Sequence, residues 1–175
     1  MNRHITHAFV RLASTVVLAV GGFYLLQQPW RKAELRTVIC VLSAFGVERA
    51  WHVYGASVLV APRHAAPFVA VVTPSCSALG ALLAFSAIAL FLVPGPWSRR
   101  AFAAATASGL VVVVNIVRIA LSLSAGVWFG SHAMVLVHDW VGTLLGFFAV
   151  LAGFTLFMFL LLPKASPLWD ETLGG

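Results

Sequence analysis

The sequence predicts an all-α membrane protein with about four transmembrane helices, a short interfacial helix and a small extracytoplasmic β-hairpin. The first reason is composition: 61% of the 175 residues are hydrophobic, 9% are charged, and the mean hydropathy is +0.99. A soluble globular domain has about 45–50% apolar and about 25% charged residues. The second reason is that several apolar stretches reach the roughly 17–25 residues that a helix needs to cross a bilayer.

Four apolar stretches have this length, and each is continuously apolar. Strands of a membrane barrel would instead alternate between apolar and polar residues. The predicted spans are residues 9–27, 76–93, 101–121 and 134–162. Basic residues precede the first span, as in a signal peptide, but the following sequence LLQQPWRKAE has no small-x-small cleavage site. We therefore expect the first span to be a retained helix.

The region between the first two spans, residues 28–75, is predicted to lie outside the membrane. Within it, residues 35–47 are mostly apolar but number only about 13, which favours an interfacial or buried helix over a further span. Residues 51–73 are β-branched and aromatic around the turn sequence PRHAA, which is typical of a β-hairpin. We interpret the chain as one integral membrane domain that continues through the helices of residues 76–162 to a cytoplasmic tail at 163–175.

The basic residues set the expected orientation. Arg99 and Arg100 form a short basic loop between the second and third spans, and such loops face the cytoplasm. Four spans then place both termini in the cytoplasm and residues 28–75 outside, although that region also carries basic residues. We expect a multi-pass protein of the cytoplasmic (inner) membrane. The net charge of +6 suits anionic lipid head groups, and the scattered basic residues form no stripe for nucleic acid.

Arg118 is the first candidate for a functional residue. It lies with Asn115 in LVVVVNIVRIALSLS, towards one end of the third span. An arginine at a helix centre costs roughly 2.5–3.5 kcal/mol on insertion scales, so an intramembrane arginine indicates a functional site. Asn115 lies three residues earlier and shares its helix face. The alternative is an arginine that extends to lipid head groups, with Asn115 joining helices by hydrogen bonds.

His138 is the second candidate, about one turn into the fourth span. Gly142 and Gly146 follow at i+4 and i+8, which gives this face room to approach another helix. Asp139 is adjacent but about 100° away around an α-helix, so we do not expect it to orient His138. The alternative is a histidine that only forms structural hydrogen bonds.

Cys76 is the third candidate, in VTPSCSALG. Thr73 is expected to cap the second span and Pro74 to be its first residue, which places Cys76 in the first helical turn. There it would meet free N–H groups and the positive end of the helix dipole, both favourable to a negatively charged sulfur. The alternative is a cysteine that acts as a small apolar residue, which is the interpretation we adopt for Cys40.

Together the three residues predict an acyl-transfer site. In the four-span topology they lie at the outer ends of their helices, on faces suited to close packing. A thiol can attack a peptide carbonyl, an imidazole can protonate the leaving amine, and a cation can stabilise the oxyanion. No zinc-ligand spacing and no glycine-rich phosphate loop are present, so no metal and no cofactor are expected. A small membrane transport or channel subunit, with Arg118 and His138 lining a polar path, is the alternative from a different class.

At these residues the chain resembles the exosortase/archaeosortase family of membrane transpeptidases. The matching pieces are TPSCSALG with Cys76 and Ser77, NIVRIALS with Asn115 and Arg118, and HDWVG, whose histidine is followed by Gly142 four residues later. Their order and spacing also match, and the resemblance covers roughly residues 45–160. Because each motif is short, the specificity of the resemblance comes from all three occurring in order on the expected spans.

The resemblance implies a function and a set of roles. Cys76 is expected to be the nucleophile, Arg118 the transition-state stabiliser and His138 the general acid/base, with Asn115, Ser77 and Gly142 in support. The expected partners are exported proteins with a C-terminal sorting signal, namely a short motif such as Pro-Glu-Pro, a transmembrane helix and a basic tail. Cleavage would occur at the extracytoplasmic side, with possible transfer to another acceptor. A non-catalytic assembly factor that binds such signals is a further alternative.

Overall fold

The computed structural model describes residues 3–162, so the predicted cytoplasmic tail at 163–175 lies outside the described residues. Within them, a bundle of helices carries a small sheet at one end, and the sheet lies between the first and second helices in sequence. The elements in chain order are α1 (Arg3–Ala44), β1 (Ala50–His52), β2 (Ser57–Val60), β3 (Phe68–Val71), a 3₁₀ turn (Pro74–Cys76), α2 (Leu79–Phe91), α3 (Trp97–Phe129), α4 (Ser131–Leu136), a π-helical segment (Val137–Gly142) and α5 (Thr143–Leu161).

Helix α1 is a single helix of 42 residues, which differs from the sequence prediction. At about 1.5 Å per residue it is about 63 Å long, roughly twice the hydrocarbon thickness of a bilayer. The separate helix predicted at residues 35–47 is instead the C-terminal part of α1, and the helix continues through Pro29. It continues because Leu35, Val38 and Leu42, which follow Pro29 on one face, are buried in an apolar cluster with the sheet and α3.

The sheet has three antiparallel strands in the order β1-β2-β3. β2 and β3 form the predicted hairpin, and β1 is an additional strand in which Trp51 pairs with Leu59. The sequence prediction was incomplete because the chain reverses at Gly55, whose φ of +62° lies in the left-handed region that favours glycine. Val58 and Val60 of β2 are fully buried against α1 and α3, and this packing places the sheet at one end of the helix bundle.

Helices α2, α3 and α5 pack closely at the opposite end of the bundle. Gly153 of α5 lies against α3, and a Cβ atom there would stand 2.9 Å from Cγ2 of Val111 and 3.4 Å from the carbonyl oxygen of Ala107. Phe157 is fully buried, and its ring centroid lies 5.6 Å from that of Phe85 on α2. These contacts join α2 to α5 far from the sheet and leave a cleft between them nearer to it.

Arg99 and Arg100, predicted as a basic loop, lie in the first turn of α3 and bind the C-terminal ends of two other helices. Nη1 of Arg100 donates to the carbonyl oxygens of Ala89 at 3.2 Å and Val93 at 2.9 Å, and Nε of Arg99 donates to that of Leu160 at 2.9 Å. The last carbonyls of a helix lack partners within it, and a cation there also suits the dipole. The two arginines therefore provide hydrogen-bond donors for the free carbonyl groups at the C-terminal ends of α2 and α5.

The expected helical membrane fold with a small sheet is confirmed. Within residues 3–162, three helical stretches are long and apolar enough to cross a bilayer, namely Phe9–Ala44, Trp97–Phe129 and Ser131–Leu161. The second predicted span is shorter in the structure than the predicted residues 76–93, because α2 begins at Leu79 and has 13 residues, about 20 Å.

We expect Gly153→Ala to lower the stability of the protein, because the new methyl group would stand 2.9 Å from Cγ2 of Val111, a buried β-branched side chain with little freedom to move. Overpacking of this kind costs about 1–3 kcal/mol. The matched control is Gly109→Ala, where a Cβ meets nothing within 4 Å and alanine is the better helix former. Thermal unfolding in detergent measures both variants, and equal melting temperatures would contradict the packing argument.

Candidate functional site

Cys76 and His138 are in direct contact, although 62 residues separate them in sequence. Sγ of Cys76 lies 3.0 Å from Nε2 of His138. Cys76 is buried between β3 and α2, and His138 is half-buried on the helix that follows α3. The contact is a hydrogen bond in either proton arrangement, thiol with imidazole or thiolate with imidazolium. Such a pair is suited to activating a sulfur nucleophile and returning its proton to a leaving group.

The position of Cys76 differs from the prediction that it lies in the first turn of an α-helix. It is the last residue of the 3₁₀ turn, and α2 begins only at Leu79. Thr73 precedes this turn and Pro74 occupies its first position, but the Thr73 side chain makes no capping hydrogen bond and the turn is not the start of α2, which differs from the prediction. The sulfur therefore does not lie at the N-terminus of a long helix, and the polar groups near it come from side chains.

Thr73 supplies one of these polar groups. Its Oγ1 lies 3.0 Å from Sγ of Cys76 and 2.8 Å from Oγ of Ser75. The sequence predicted Thr73 only as a helix cap and not as a neighbour of the sulfur. The signal that was available is the spacing of the hydroxyl three residues before the cysteine in TPSC, because one helical turn brings such positions together.

His138 lies on the π-helical segment Val137–Gly142, which the sequence analysis did not predict. Such segments hold an extra residue in one turn and occur frequently at functional sites. Asp139, which an α-helix would place about 100° away, lines the same cleft as His138. The structure therefore adds a carboxylate to the surroundings of the imidazole.

Arg118 lies against the glycines that follow His138. A Cβ atom on Gly142 would stand 2.8 Å from Nε of Arg118, and one on Gly146 would stand 3.5 Å from Nη1. Nε of Arg118 is buried and has no hydrogen-bond partner among residues 3–162. The missing side chains thus make room for the guanidinium beside the helix of His138, which gives Gly142 its physical role.

Arg118 and His138 line one cleft of about 630 Å³ between α2, α3 and the His138 helix. Asn115 and Ser77, the two other predicted supporting residues, line it as well. Cys76 lines a second, smaller cavity of about 90 Å³, which His138 also borders. The structure therefore places the imidazole between two cavities, with the guanidinium facing the larger one and the sulfur facing the smaller one.

Glu34 of α1 is the central residue that the sequence analysis missed. Its side chain is 3% exposed, and Oε1 accepts hydrogen bonds from the N–H of Ala78 at 2.9 Å and from Nδ2 of Asn115 at 3.1 Å. Ala78 follows Cys76 by two residues, and Asn115 precedes Arg118 by three. Glu34 therefore connects both segments to α1. The available signal was one acidic residue within the basic and apolar sequence RKAELRTVI.

The described residues contain no group of three or more His, Cys, Asp or Glu side chains that could hold a metal ion. The candidate site thus consists of a thiol–imidazole pair, a guanidinium, hydroxyls and a buried carboxylate.

Comparison with known proteins gives one family. The family model described as transmembrane exosortase matches residues 8–163, which is most of the chain. No curated protein and no solved structure matches the chain.

We expect Glu34→Ala to destabilise the protein strongly, because it leaves the N–H of Ala78 and the amide of Asn115 buried without their acceptor. Each unsatisfied buried group costs about 1–3 kcal/mol. Glu34→Gln keeps an oxygen at the Oε1 position and should cost less. Chemical or thermal unfolding in detergent measures the difference. Equal losses in the two variants would show that the negative charge, and not the acceptor, is what the fold requires.

Proposed function

Because the chain belongs to the transmembrane exosortase family, we propose that it is a cysteine transpeptidase or peptidase that cleaves C-terminal sorting signals of exported proteins. The observation that carries this proposal is the 3.0 Å contact between Sγ of Cys76 and Nε2 of His138. A buried thiol beside an imidazole, next to a cleft that holds a free guanidinium, is the equipment that acyl transfer requires.

In the first half of the reaction, the sulfur of Cys76 attacks the carbonyl carbon of the scissile peptide bond. His138 holds the thiol proton and delivers it to the nitrogen of the leaving amine, so that the C–N bond breaks and a thioester remains on Cys76. The hydroxyl of Thr73, 3.0 Å from Sγ, can donate to the sulfur while it is negatively charged.

Arg118 is proposed to stabilise the negative charge that develops on the substrate oxygen. Its Nε is buried beside Gly142, but the side chain lines the larger cleft, where the Nη groups can donate to a substrate. Donors that are fixed in place and shielded from water contribute most to catalysis when they face a developing oxyanion. Asn115, bound to Glu34, supports this position from the preceding turn of α3.

In the second half, water or an amine of an acceptor attacks the thioester. His138 takes the proton of the attacking group and returns it to the sulfur as the C–S bond breaks. Hydrolysis releases a shortened protein, and attack by an amine transfers it to the acceptor.

The proposed substrates carry a short motif, a transmembrane helix and a basic tail, and the proposed site faces the extracytoplasmic side of the cytoplasmic membrane. The larger cleft supports this substrate class. Near Arg118 its lining is polar, whereas farther along the helices it is lined by apolar residues such as Ala81, Val111 and Val150. A peptide segment followed by an apolar helix matches that change in polarity.

A transport or channel function is less well supported. Transport of a polar solute requires a polar path through the bilayer. Here the packed rings of Phe85 and Phe157 lie between α2 and α5 beyond the cleft.

We expect Cys76→Ala to reduce signal cleavage to background while the protein still inserts and folds, because no other group replaces the sulfur. The control is Cys40→Ala, since Cys40 is exposed on α1 and free. Cleavage is measured by immunoblot of a tagged substrate in proteoliposomes. Full cleavage by the Cys76 variant would reject the mechanism. Stable binding of the signal by the wild-type protein without any cleavage would instead identify a non-catalytic assembly factor.

We expect Gly142→Ala to reduce the cleavage rate on the order of 100-fold, because the new methyl group would meet Nε of Arg118 at 2.8 Å and displace the guanidinium. Gly146→Ala should cause a smaller loss, since its methyl group would make an ordinary 3.5 Å contact with Nη1. The measurement is the single-turnover rate, normalised to the amount of folded protein. The reverse order of effects would contradict a role for the position of Arg118.

A further inference from the structure

Strand β3 has one edge that bonds to β2 and one edge that is free of strand pairing among the described residues. The N–H of Val72 donates to the carbonyl oxygen of Ala56 at 2.9 Å. Bonded and non-bonded positions alternate along an antiparallel pair, so the backbone groups of Val69 and Val71 point away from β2. The free edge of β3 therefore offers two N–H and two C=O groups a few residues before Cys76.

The smaller cavity lies under the buried face of the sheet, at the end of β3 that leads to Cys76, and Ala70 and Val72 are among its lining residues. It has a volume of about 90 Å³ and is lined by Val71 of β3, Ile119 of α3, Val135 of α4 and the pair Cys76 and His138. Most of its lining is apolar, and its position beside the sulfur means that a group bound there would be adjacent to the reacting carbonyl. An unpaired strand edge next to an apolar cavity is the arrangement by which proteins bind extended peptides, with the backbone providing affinity and the cavity providing specificity.

We propose that this cavity is the specificity pocket for the substrate side chain on the acyl side of the scissile bond, and that the preceding substrate residues pair with the free edge of β3. The inference rests on the proposed function. An apolar cavity of about 150 Å³ accepts a benzene molecule. A cavity of about 90 Å³ is smaller than this, so it favours an aliphatic side chain of about three or four carbons, such as that of valine, over an aromatic ring.

The two cavities also give the substrate a direction. The larger cleft extends along α2, α3 and α5 and is apolar away from Arg118, which suits the apolar helix that follows a cleavage site. The smaller cavity lies on the opposite side of His138, towards the sheet. The acyl portion thus binds at the sheet, the leaving helix binds along the bundle, and the scissile bond lies between them at the imidazole.

The test uses peptide vinyl sulfones of the form Ala-Ala-X, where X is Ala, Val or Phe and the electrophile follows X. The rate of Cys76 modification in the full-length protein in detergent is measured by mass spectrometry. We expect X = Val to react at least about 10-fold faster than X = Phe. Val135→Ala should reduce this ratio, and Val135→Trp should slow X = Val more than X = Ala. Leu136→Ala, at the adjacent exposed position outside the cavity, should leave the ratio unchanged.

An unchanged ratio in Val135→Ala, or the same change in Leu136→Ala, would overturn the pocket.

Backbone N-methylation of the probe tests the pairing with the free edge of β3. We expect a methyl group on the backbone nitrogen to slow the modification of Cys76 only at every second position of the probe. Equal slowing at all positions would overturn the pairing with β3. Because the probe reacts with Cys76 without cleavage of a peptide bond, it tests the specificity pocket independently of the proposed function. A protein that shows the X preference but never cleaves a sorting signal contradicts the proposed function, and one that cleaves without any X preference contradicts the pocket.

Discussion

The buried carboxylate of Glu34 holds the candidate site together. Removing a carboxylate from water costs several kcal/mol, so the position is stable only where donors replace the water. The N–H of Ala78 and the amide of Asn115 do so for Oε1, whereas Oε2 is buried without a hydrogen-bond partner among residues 3–162. These donors belong to the segments that carry the sulfur and the guanidinium, and α1 is the element that fixes them relative to each other. This role accounts for the length of α1, because a helix that ended at the membrane boundary would not also pack against the sheet.

A second constraint is the small space available to the helix of His138. This helix must bring an imidazole to the sulfur of Cys76 and also leave room for the guanidinium of Arg118. The π-helical segment meets the first requirement by changing the direction of the side chains within one turn, and Gly142 meets the second by having no side chain. The sequence HDWVG encodes both, so its histidine and its glycine act as one unit.

Much of the site was predictable because membranes make polar residues conspicuous. Arg118 stands out in an apolar run since burying a cation in hydrocarbon is costly, and Gly142 stands out by its spacing from His138. Glu34 was not predicted because it lies in a stretch that already carries charge, where nothing local shows that one residue is buried.

The fold likewise has features that the local sequence predicts and features that depend on contacts with distant residues. Apolar length alone predicted the spans. The continuation of α1 through Pro29 depends on burial of the residues that follow it, and the third strand depends on a reversal at Gly55. The 3₁₀ turn at Cys76 depends on contacts with α1 and the His138 helix. Each is a tertiary effect that overrides local propensity, and a reading of periodicity along one sequence contains no information about it.

The depth of the site follows from the geometry of α3. From Arg100 to Arg118 the helix rises about 27 Å, close to the roughly 30 Å thickness of the hydrocarbon region. The two arginines therefore match opposite boundaries of one bilayer, with Arg100 completing the end of α2 and Arg118 lying beside the helix of His138. In the proposed orientation, the thiol–imidazole pair lies at the boundary that carries the sheet. The proposed substrate, a polypeptide whose transmembrane helix emerges there, would present its last peptide bonds at the depth of the sulfur, with lipid on one side and the sheet on the other.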